Sequence, residues 1–384
     1  MTFRTALLGT KDIGVVPVQK TMSDRIRIAR ALCIFFMTFV HVQAGIAENV
    51  YDRDAGFFDI VYYILTRIVG LSSVSLLSVV SGYFIVSSLL KAGTSKLIVS
   101  KFKTLIIPLV AWNALMLALL IAYALLTGHR QDLPTPDAAG MANAFLAITQ
   151  WPLVVPLWFL RDLFVCCLFS PILYVSIKRF PVATIVVLVA YTLFGEDLYL
   201  LQRPQLMLFF ALGMWFRIAG SSEQTIDRIA GFLTIGLIAM AAVFLAIRIE
   251  RILIAEMDDT LRLTLDTLLR VTMAAGVWRL TELLRKSPLA DLFMKFEPYA
   301  FFLFCSHAIL FNFGGIIFRR FFGNYGSDLF PVTFFVLPFL AVLGAVIGLQ
   351  IINRSKLLLF LFNAGHSAPP LGKAAPSRVA TQNS

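Results

Sequence analysis

The amino-acid sequence predicts an all-α, polytopic membrane protein with about ten transmembrane helices and both termini in the cytoplasm. Three observations carry this reading. The chain of 384 residues is 59% hydrophobic and only 14% charged, with a mean hydropathy of +0.84, whereas soluble domains are about 25% charged. About ten apolar runs approach the ~20 residues that a helix needs to cross a bilayer. The charges between the runs alternate in sign along the chain, as the bias of Lys and Arg towards cytoplasmic loops requires.

The first run, 28–46, follows Lys11, Lys20, Arg25, Arg27 and Arg30. Gly45-Ile46-Ala47 resembles a signal-peptide cleavage site, but the basic region before the run is unusually long and many more spans follow, so an uncleaved first helix is expected. Asp59 and Arg67 interrupt the stretch 57–71, which reads as an interfacial helix leading into the second span at 72–90. Lys91, Lys96, Lys101 and Lys103 separate that span from the third, 104–127, and Asp132 and Asp137 follow on the other side. The fourth, 155–177, ends at Lys178 and Arg179; the next two, 181–198 and 204–219, are short enough to be tilted or re-entrant. Runs at 228–248 and 263–284 enclose Glu250, Glu256, Asp258 and Asp259, and Arg285, Lys286 and Lys295 come next. The last two, 299–320 and 331–352, are joined on the outer side through Arg319 and Arg320, the one pair against the trend. The expected organisation is a cytoplasmic segment at 1–23, a membrane domain at 24–356 and a disordered cytoplasmic tail at 357–384, rich in Ala, Pro and Ser.

A net charge of +11 could suggest nucleic acid, but the basic residues lie in short clusters between apolar runs and form no single stripe. Nucleic-acid binding is not expected. Cys33, Cys166, Cys167 and Cys305 all sit inside apolar runs without metal-type spacing and read as packing residues, and no metal is expected. Gly-rich phosphate loops and the HExxH and GxSxG patterns are absent from the sequence, which disfavours hydrolases of those types.

Ionisable groups at membrane depth default to functional candidates. Arg30 and His41 are separated by eleven positions, which places them about 20° apart in azimuth and about 16 Å apart along a helix. Arg27 lies one turn below, so one stripe carries two guanidiniums at the cytoplasmic mouth and an imidazole in the outer half. The arrangement suits a long anionic ligand that enters from the cytoplasm, with phosphates on the arginines; as ordinary cytoplasmic anchors, the arginines would look the same. Arg161 and Asp162, about two turns below the outer surface, are candidates either for substrate binding or for a pair that locks two helices. Ser81 near mid-membrane is a substrate-site candidate or a helix-packing residue, His307 is a further mid-membrane candidate, and Asp266 with Arg270 forms a self-neutralising pair.

Five segments in register over most of residues 24–352 give this pattern a family: Arg30-x10-His41, SGYF at 81–84, KFKTLIIP at 101–108, LWFLRDLF at 157–164 and FCSHAILF at 304–311. Together they resemble the membrane acyltransferase-3 family, bacterial proteins that O-acylate polysaccharides and other envelope glycans. Within it, the opening RIRIARALCIFFMTFVHV is most similar to the succinyltransferases of succinoglycan-type exopolysaccharide synthesis, with glucan succinyltransferases and O-antigen acetyltransferases close in appearance. The resemblance implies a bacterial inner-membrane enzyme that takes acyl groups from cytoplasmic acyl-CoA, either succinyl-CoA or acetyl-CoA. The acceptor it implies is a hydroxyl of a polysaccharide or lipid-linked oligosaccharide. It implies His41 as the essential base and Arg30 near the donor. The geometry of the first helix and the chemistry of acyl transfer add Arg27, Lys101 and Lys103 as candidate donor contacts, and Arg161 as a candidate to stabilise the oxyanion or bind a succinyl carboxylate. Relatives often carry Arg-x-x-Arg where this chain has Lys101 and Lys103, which attract phosphate without the bidentate fork. A transporter or flippase for an anionic glycan or lipid would explain the buried polar groups equally well, but not these five segments. A silent scaffold subunit of a polysaccharide-export assembly is a third alternative.

Overall fold

The structure is a computed structural model that describes residues 19–44, 56–70, 72–195, 200–250 and 257–369. The N-terminal segment to residue 18, the acidic Glu48, Asp52, Asp54, Glu196, Asp197 and Glu256, and the tail from 370 lie outside the described residues. Among the described residues all regular structure is helical. The helices are α1 (Lys20–Val40), α2 (Phe57–Tyr63), α3 (Ser72–Ala92), α4 (Thr94–Lys101), α5 (Ile107–Thr127), α6 (Ala138–Leu146) and α7 (Trp158–Arg179). They continue with α8 (Pro181–Phe194), α9 (Gln205–Ile218), α10 (Glu223–Ile249), α11 (Asp259–Arg285), α12 (Leu289–Phe322), α13 (Phe330–Ile352) and α14 (Lys356–Asn363).

Among the described residues, each of the ten apolar runs coincides for most of its length with a helix. Six helical runs among the described residues are long and apolar enough to cross a membrane: Phe57–Ala92, Thr94–Thr127, Val155–Arg179, α10, α12 and α13. The chain is a multi-pass membrane protein. Helices α8 and α9 have 14 residues each, about 21 Å, against a hydrocarbon core of about 30 Å. Helices α1 and α11 are long enough, with 21 and 27 residues, but carry many charges. Several of those charges are paired within the bundle. Arg25 is fully buried and binds Glu223 at 2.9 Å and Asp227 at 2.7 Å. It also donates to Thr281 Oγ1 and the Trp278 carbonyl, each at 3.1 Å, and its guanidinium lies 4.1 Å over the Trp278 ring. On α11, Arg270 Nε meets Asp266 Oδ2 at 2.7 Å.

Local chemistry sets the helix ends. The side chains of Ser222, Asp258 and Ser355 accept backbone N–H bonds at the starts of α10, α11 and α14, taking donors that have no partner within the helix. Asp137 does the same for α6 through Gly140 N–H, which holds its carboxyl below the usual carboxylate range. Segment 57–70 is helical, passing from α2 into a π-helical turn at Ile64–Val69, and it packs against α1.

The tightest seam joins α3 and α9. A Cβ on Gly82 would lie 1.9 Å from the Phe210 carbonyl oxygen, and one on Gly213 would lie 1.9 Å from that of Val79. Only hydrogen side chains permit this approach. The proline kinks are also resolved locally. Pro171 cannot donate to the Cys167 carbonyl four residues back, and Ser170 Oγ donates to it at 2.7 Å.

A disordered tail is expected from 357, yet α14 occupies Lys356–Asn363 and the chain stays docked to residue 369. The apolar sequence KLLLFLF behind the Ser355 cap supplies a helix with a face to bury. Trp112 Nε1 donates to the Phe362 carbonyl at 3.0 Å, Tyr299 Oη and Gln350 Nε2 to that of Pro369 at 3.1 and 2.9 Å, and Asn353 Nδ2 to that of Ala368 at 3.0 Å.

Candidate active site

Helix α12 packs along α1 in a parallel sense, and two polar rungs join them. At the first rung Glu297 lies between two arginines: Arg27 Nε is 3.4 Å from Oε2 and Arg30 Nη1 is 3.5 Å from Oε1. At the second, the His41 and His307 rings have centroids 5.1 Å apart and tilt by 50°. The rungs are eleven residues apart on α1 and ten on α12, so about 15–16 Å separates them on both helices. The stripe read from the sequence therefore faces the protein interior at its histidine end.

The first rung depends on a proline. Pro298 has no N–H to give the Met294 carbonyl four residues earlier, and Arg27 Nη2 donates to that carbonyl at 3.2 Å. A break in α12 thus becomes an anchor for the guanidinium. Glu297 keeps 10% side-chain exposure, Arg27 18% and Arg30 41%. Arg30 is accessible, and its contact with Glu297 is long for an ion pair.

At the second rung, His307 is fully buried and its Nδ1 faces the carbonyls of Leu303 at 3.1 Å and Phe304 at 2.9 Å. Carbonyl oxygens only accept, so the hydrogen-bond network assigns the proton to Nδ1. The Nε2 lone pair is then left in the interior with no hydrogen-bond partner. His41 closes α1: its backbone N–H donates to Thr38 O at 3.1 Å, and the residue is partly exposed. A partly exposed imidazole beside a buried one that holds an acceptor nitrogen can exchange protons with a ligand while its own orientation is fixed.

The other predicted residues have partners of their own. Arg161 Nη1 donates to Asp162 Oδ1 at 2.9 Å and to the Leu200 carbonyl at 2.6 Å. Asp162, with 0% side-chain exposure, also accepts the N–H groups of Gln202 and Arg203, both at 3.0 Å. The pair fixes the turn that leads into α9. Its link to the histidines is indirect, through Phe159 against Phe304 at 5.8 Å. Ser81 Oγ donates to the Leu77 carbonyl at 2.8 Å, one turn back on α3, and its neighbour Gly82 is part of the α3–α9 seam. Lys101 and Lys103 sit where α4 passes through a π-helical turn into α5, beside α7. Cys33, Cys166, Cys167 and Cys305 are free and buried.

Two participants escape a sequence reading. Glu297 lies 267 positions from Arg30, and its one local signal is the Glu-Pro step at the head of an apolar run. Arg25 has the same residue type as its neighbours and reads as another basic flank.

The family model Acyl_transf_3, described as an acyltransferase domain, matches residues 24–353. The chain is similar to the succinoglycan biosynthesis protein ExoH of Rhizobium meliloti (strain 1021), with 25% identity over 344 residues that cover 87% of this chain and 89% of that protein. No solved structure matches the chain. With the family match running from the second turn of α1 through the end of α13, and so across both rungs, the protein belongs to the acyltransferase-3 family.

Proposed function

We propose that the protein transfers an acyl group, succinyl in preference to acetyl, from cytoplasmic acyl-CoA to a sugar hydroxyl of an exopolysaccharide or its lipid-linked precursor at the inner membrane of a bacterium. The observation that carries this reading is the pair of rungs between α1 and α12 in a chain of an acyltransferase family. The similarity to a succinoglycan biosynthesis protein supports the acceptor class. Ten crossings with both termini in the cytoplasm place the arginine rung at the cytoplasmic mouth and the histidine rung in the outer half. Paired charges let α1 and α11 cross, and the short α8 and α9 cross by local thinning of the bilayer.

In this reading Arg27 and Arg30 take the CoA phosphates in place of Glu297, with Lys101 and Lys103 adding charge at the same face. The thioester reaches the histidine rung. His41 removes the proton from the acceptor hydroxyl, and the lone pair of the neighbouring His307 Nε2 favours the imidazolium that forms. The hydroxyl oxygen bonds to the thioester carbon, the C–S bond breaks, and the departing thiolate takes the proton back from His41. The products are an ester and free CoA thiol. Arg161, held by Asp162 through Nη1, offers its other N–H groups to the developing oxyanion or to the free carboxylate of a succinyl group. Asp162 acts as a positioning residue and Ser81 as a packing residue.

Proton NMR of exopolysaccharide from a deletion strain and its complement tests the reading. A succinyl signal that disappears and returns is expected; an unchanged spectrum overturns it. With purified protein, release of free thiol from succinyl-CoA that depends on acceptor separates a transferase from a transporter of anionic glycan or lipid, which releases none.

A further inference from the structure

Three buried polar atoms on elements that pack together have no hydrogen-bond partner among the described residues: Arg67 Nε on the π-helical turn Ile64–Val69, Ser75 Oγ on α3 and Thr267 Oγ1 on α11. The turn touches both helices, and the helices touch each other. Hydroxyls inside a helix commonly return to a carbonyl one turn back. Ser78, Ser81 and Ser88 do so on α3, and Thr264 and Thr272 on α11. Ser75, which is fully buried, and Thr267 do not. Buried polar groups are paired as a rule, so each exception calls for a partner.

Arg67 is the larger anomaly. A guanidinium cannot shed its proton, and an ionisable group inside a membrane bundle is normally paired. The field of Arg67 reaches Asp266, but that carboxylate is already held by Arg270 Nε at 2.7 Å. Gln205 Nε2, at the head of α9, faces the same carboxylate at 3.4 Å. Arg67 thus brings charge to this corner without a hydrogen bond. The turn that carries it is of a rare kind that recurs at functional sites. The corner also adjoins the histidine rung. Gly70, three positions after Arg67, lies so close to α1 that a Cβ on it would be 2.1 Å from Val40 Cγ2, and His41 follows Val40.

We propose that this corner binds an acidic sugar of the acceptor glycan, with its carboxylate on Arg67 and its ring hydroxyls on Ser75 and Thr267, and so brings the hydroxyl to be acylated to His41. The proposal rests on the transferase reading above and adds to it that the acceptor is anionic. Water satisfies the two hydroxyls but leaves the guanidinium uncompensated, whereas an acidic sugar satisfies all three groups. Asp266, neutralised by Arg270, does not repel it. A lone guanidinium suits the single charge of a carboxylate better than the higher charge of a lipid diphosphate. The carboxylate of a succinyl donor would engage Arg67 but leave both hydroxyls orphaned.

The test uses the full chain purified in detergent. Unacylated exopolysaccharide from a deletion strain is cut into oligosaccharides and separated by anion exchange into neutral and acidic pools. Equilibrium binding of each pool without donor reads the site, and acceptor-dependent thiol release from succinyl-CoA reads the transferase. The acidic pool is expected to bind more tightly. Arg67→Gln should weaken its binding by about tenfold or more, the size of one charge-assisted hydrogen bond, with KM for succinyl-CoA unchanged. Arg67→Lys should restore part of the loss. Ser75→Ala and Thr267→Val should each weaken it by about two- to tenfold. Should Arg67→Gln fail to fold, the wild-type protein supplies the test: glucuronate should displace the acidic pool and glucose should not. The proposal is overturned by equal binding of the two pools or by full affinity in Arg67→Gln. It is also overturned if that variant raises KM for succinyl-CoA but not for acetyl-CoA, which assigns Arg67 to the donor. Thiol release without selective binding refutes the site and leaves the transferase; selective binding without release refutes the transferase and leaves a glycan-binding site.

Discussion

His41 and His307, on two helices far apart in sequence, hold their rings 5.1 Å apart at an angle of 50°. The buried ring has its proton committed to backbone carbonyls, which leaves the partly exposed ring to meet substrate. The two histidines are therefore not equivalent. His41→Ala should reduce acceptor-dependent thiol release by about 10²–10⁴-fold, the usual contribution of a general base. His307→Phe, which keeps the packing but removes the acceptor nitrogen, should cost about tenfold and shift the pH profile of the remaining activity. Equal losses in the two variants would refute the division of roles.

Glu297 balances Arg27 and Arg30 in the absence of donor. Glu297→Gln should lower the KM for acyl-CoA by about two- to fivefold, which is the size of one exposed ion pair, while Arg30→Gln should raise it. The competition vanishes at high salt, so the two effects are read at low ionic strength.

The proline in α12 is predicted to exchange stability for binding. Pro298→Ala restores an N–H to the Met294 carbonyl and should raise stability by up to about 3 kcal/mol. The same change removes the acceptor that anchors Arg27, so KM for acyl-CoA should rise even as the melting temperature does.

Arg25 is structural. Its guanidinium is fully buried while Glu223 and Asp227 keep 18% and 23% side-chain exposure, so Arg25→Met leaves two half-solvated carboxylates without their cation. A loss of about 3 kcal/mol is expected, at the low end for a broken buried pair, measured by thermal unfolding in detergent. Whatever folded protein remains should bind acyl-CoA normally.

Gly82→Ala drives a methyl group into the Phe210 carbonyl. Neither backbone can yield without parting α3 from α9, and a loss of about 3 kcal/mol or more is expected, seen as reduced yield of folded protein. Ser81→Ala, one residue away, removes a bond that α3 makes to itself and should leave activity almost unchanged.

Much of this architecture was legible because membranes impose simple rules. Apolar length located the long helices, and the 3.6-residue period places Arg30 and His41 on one face without any knowledge of their neighbours. What periodicity cannot give is the facing surface. Glu297 and His307 complete the rungs across more than 260 positions, and a single sequence holds no record of such pairings. Arg25 was unreadable for a related reason: burial depends on what packs above a residue, and Arg25 and Arg27 differ only in which side of α1 they occupy. Arg161 and Asp162 are open to two readings in the sequence, and the pair is engaged with the turn at 200–203. The docked tail was masked by its Ala- and Pro-rich continuation, although KLLLFLF carries a clear apolar face.

The first rung also sets a timetable for biogenesis. Helix α1 emerges first from the ribosome, but the carboxylate that meets Arg27 and Arg30 follows 270 and 267 residues later. At translation rates of about 5–20 residues per second, that delay is roughly 13–54 s. Throughout it the nascent helix holds uncompensated guanidiniums at the bilayer edge, and Arg25 waits almost as long for Glu223 and Asp227. A chain that stops short of residue 297 keeps α1 permanently cationic, which distinguishes an unfinished product from a complete one for any membrane protease that surveys unpaired charge.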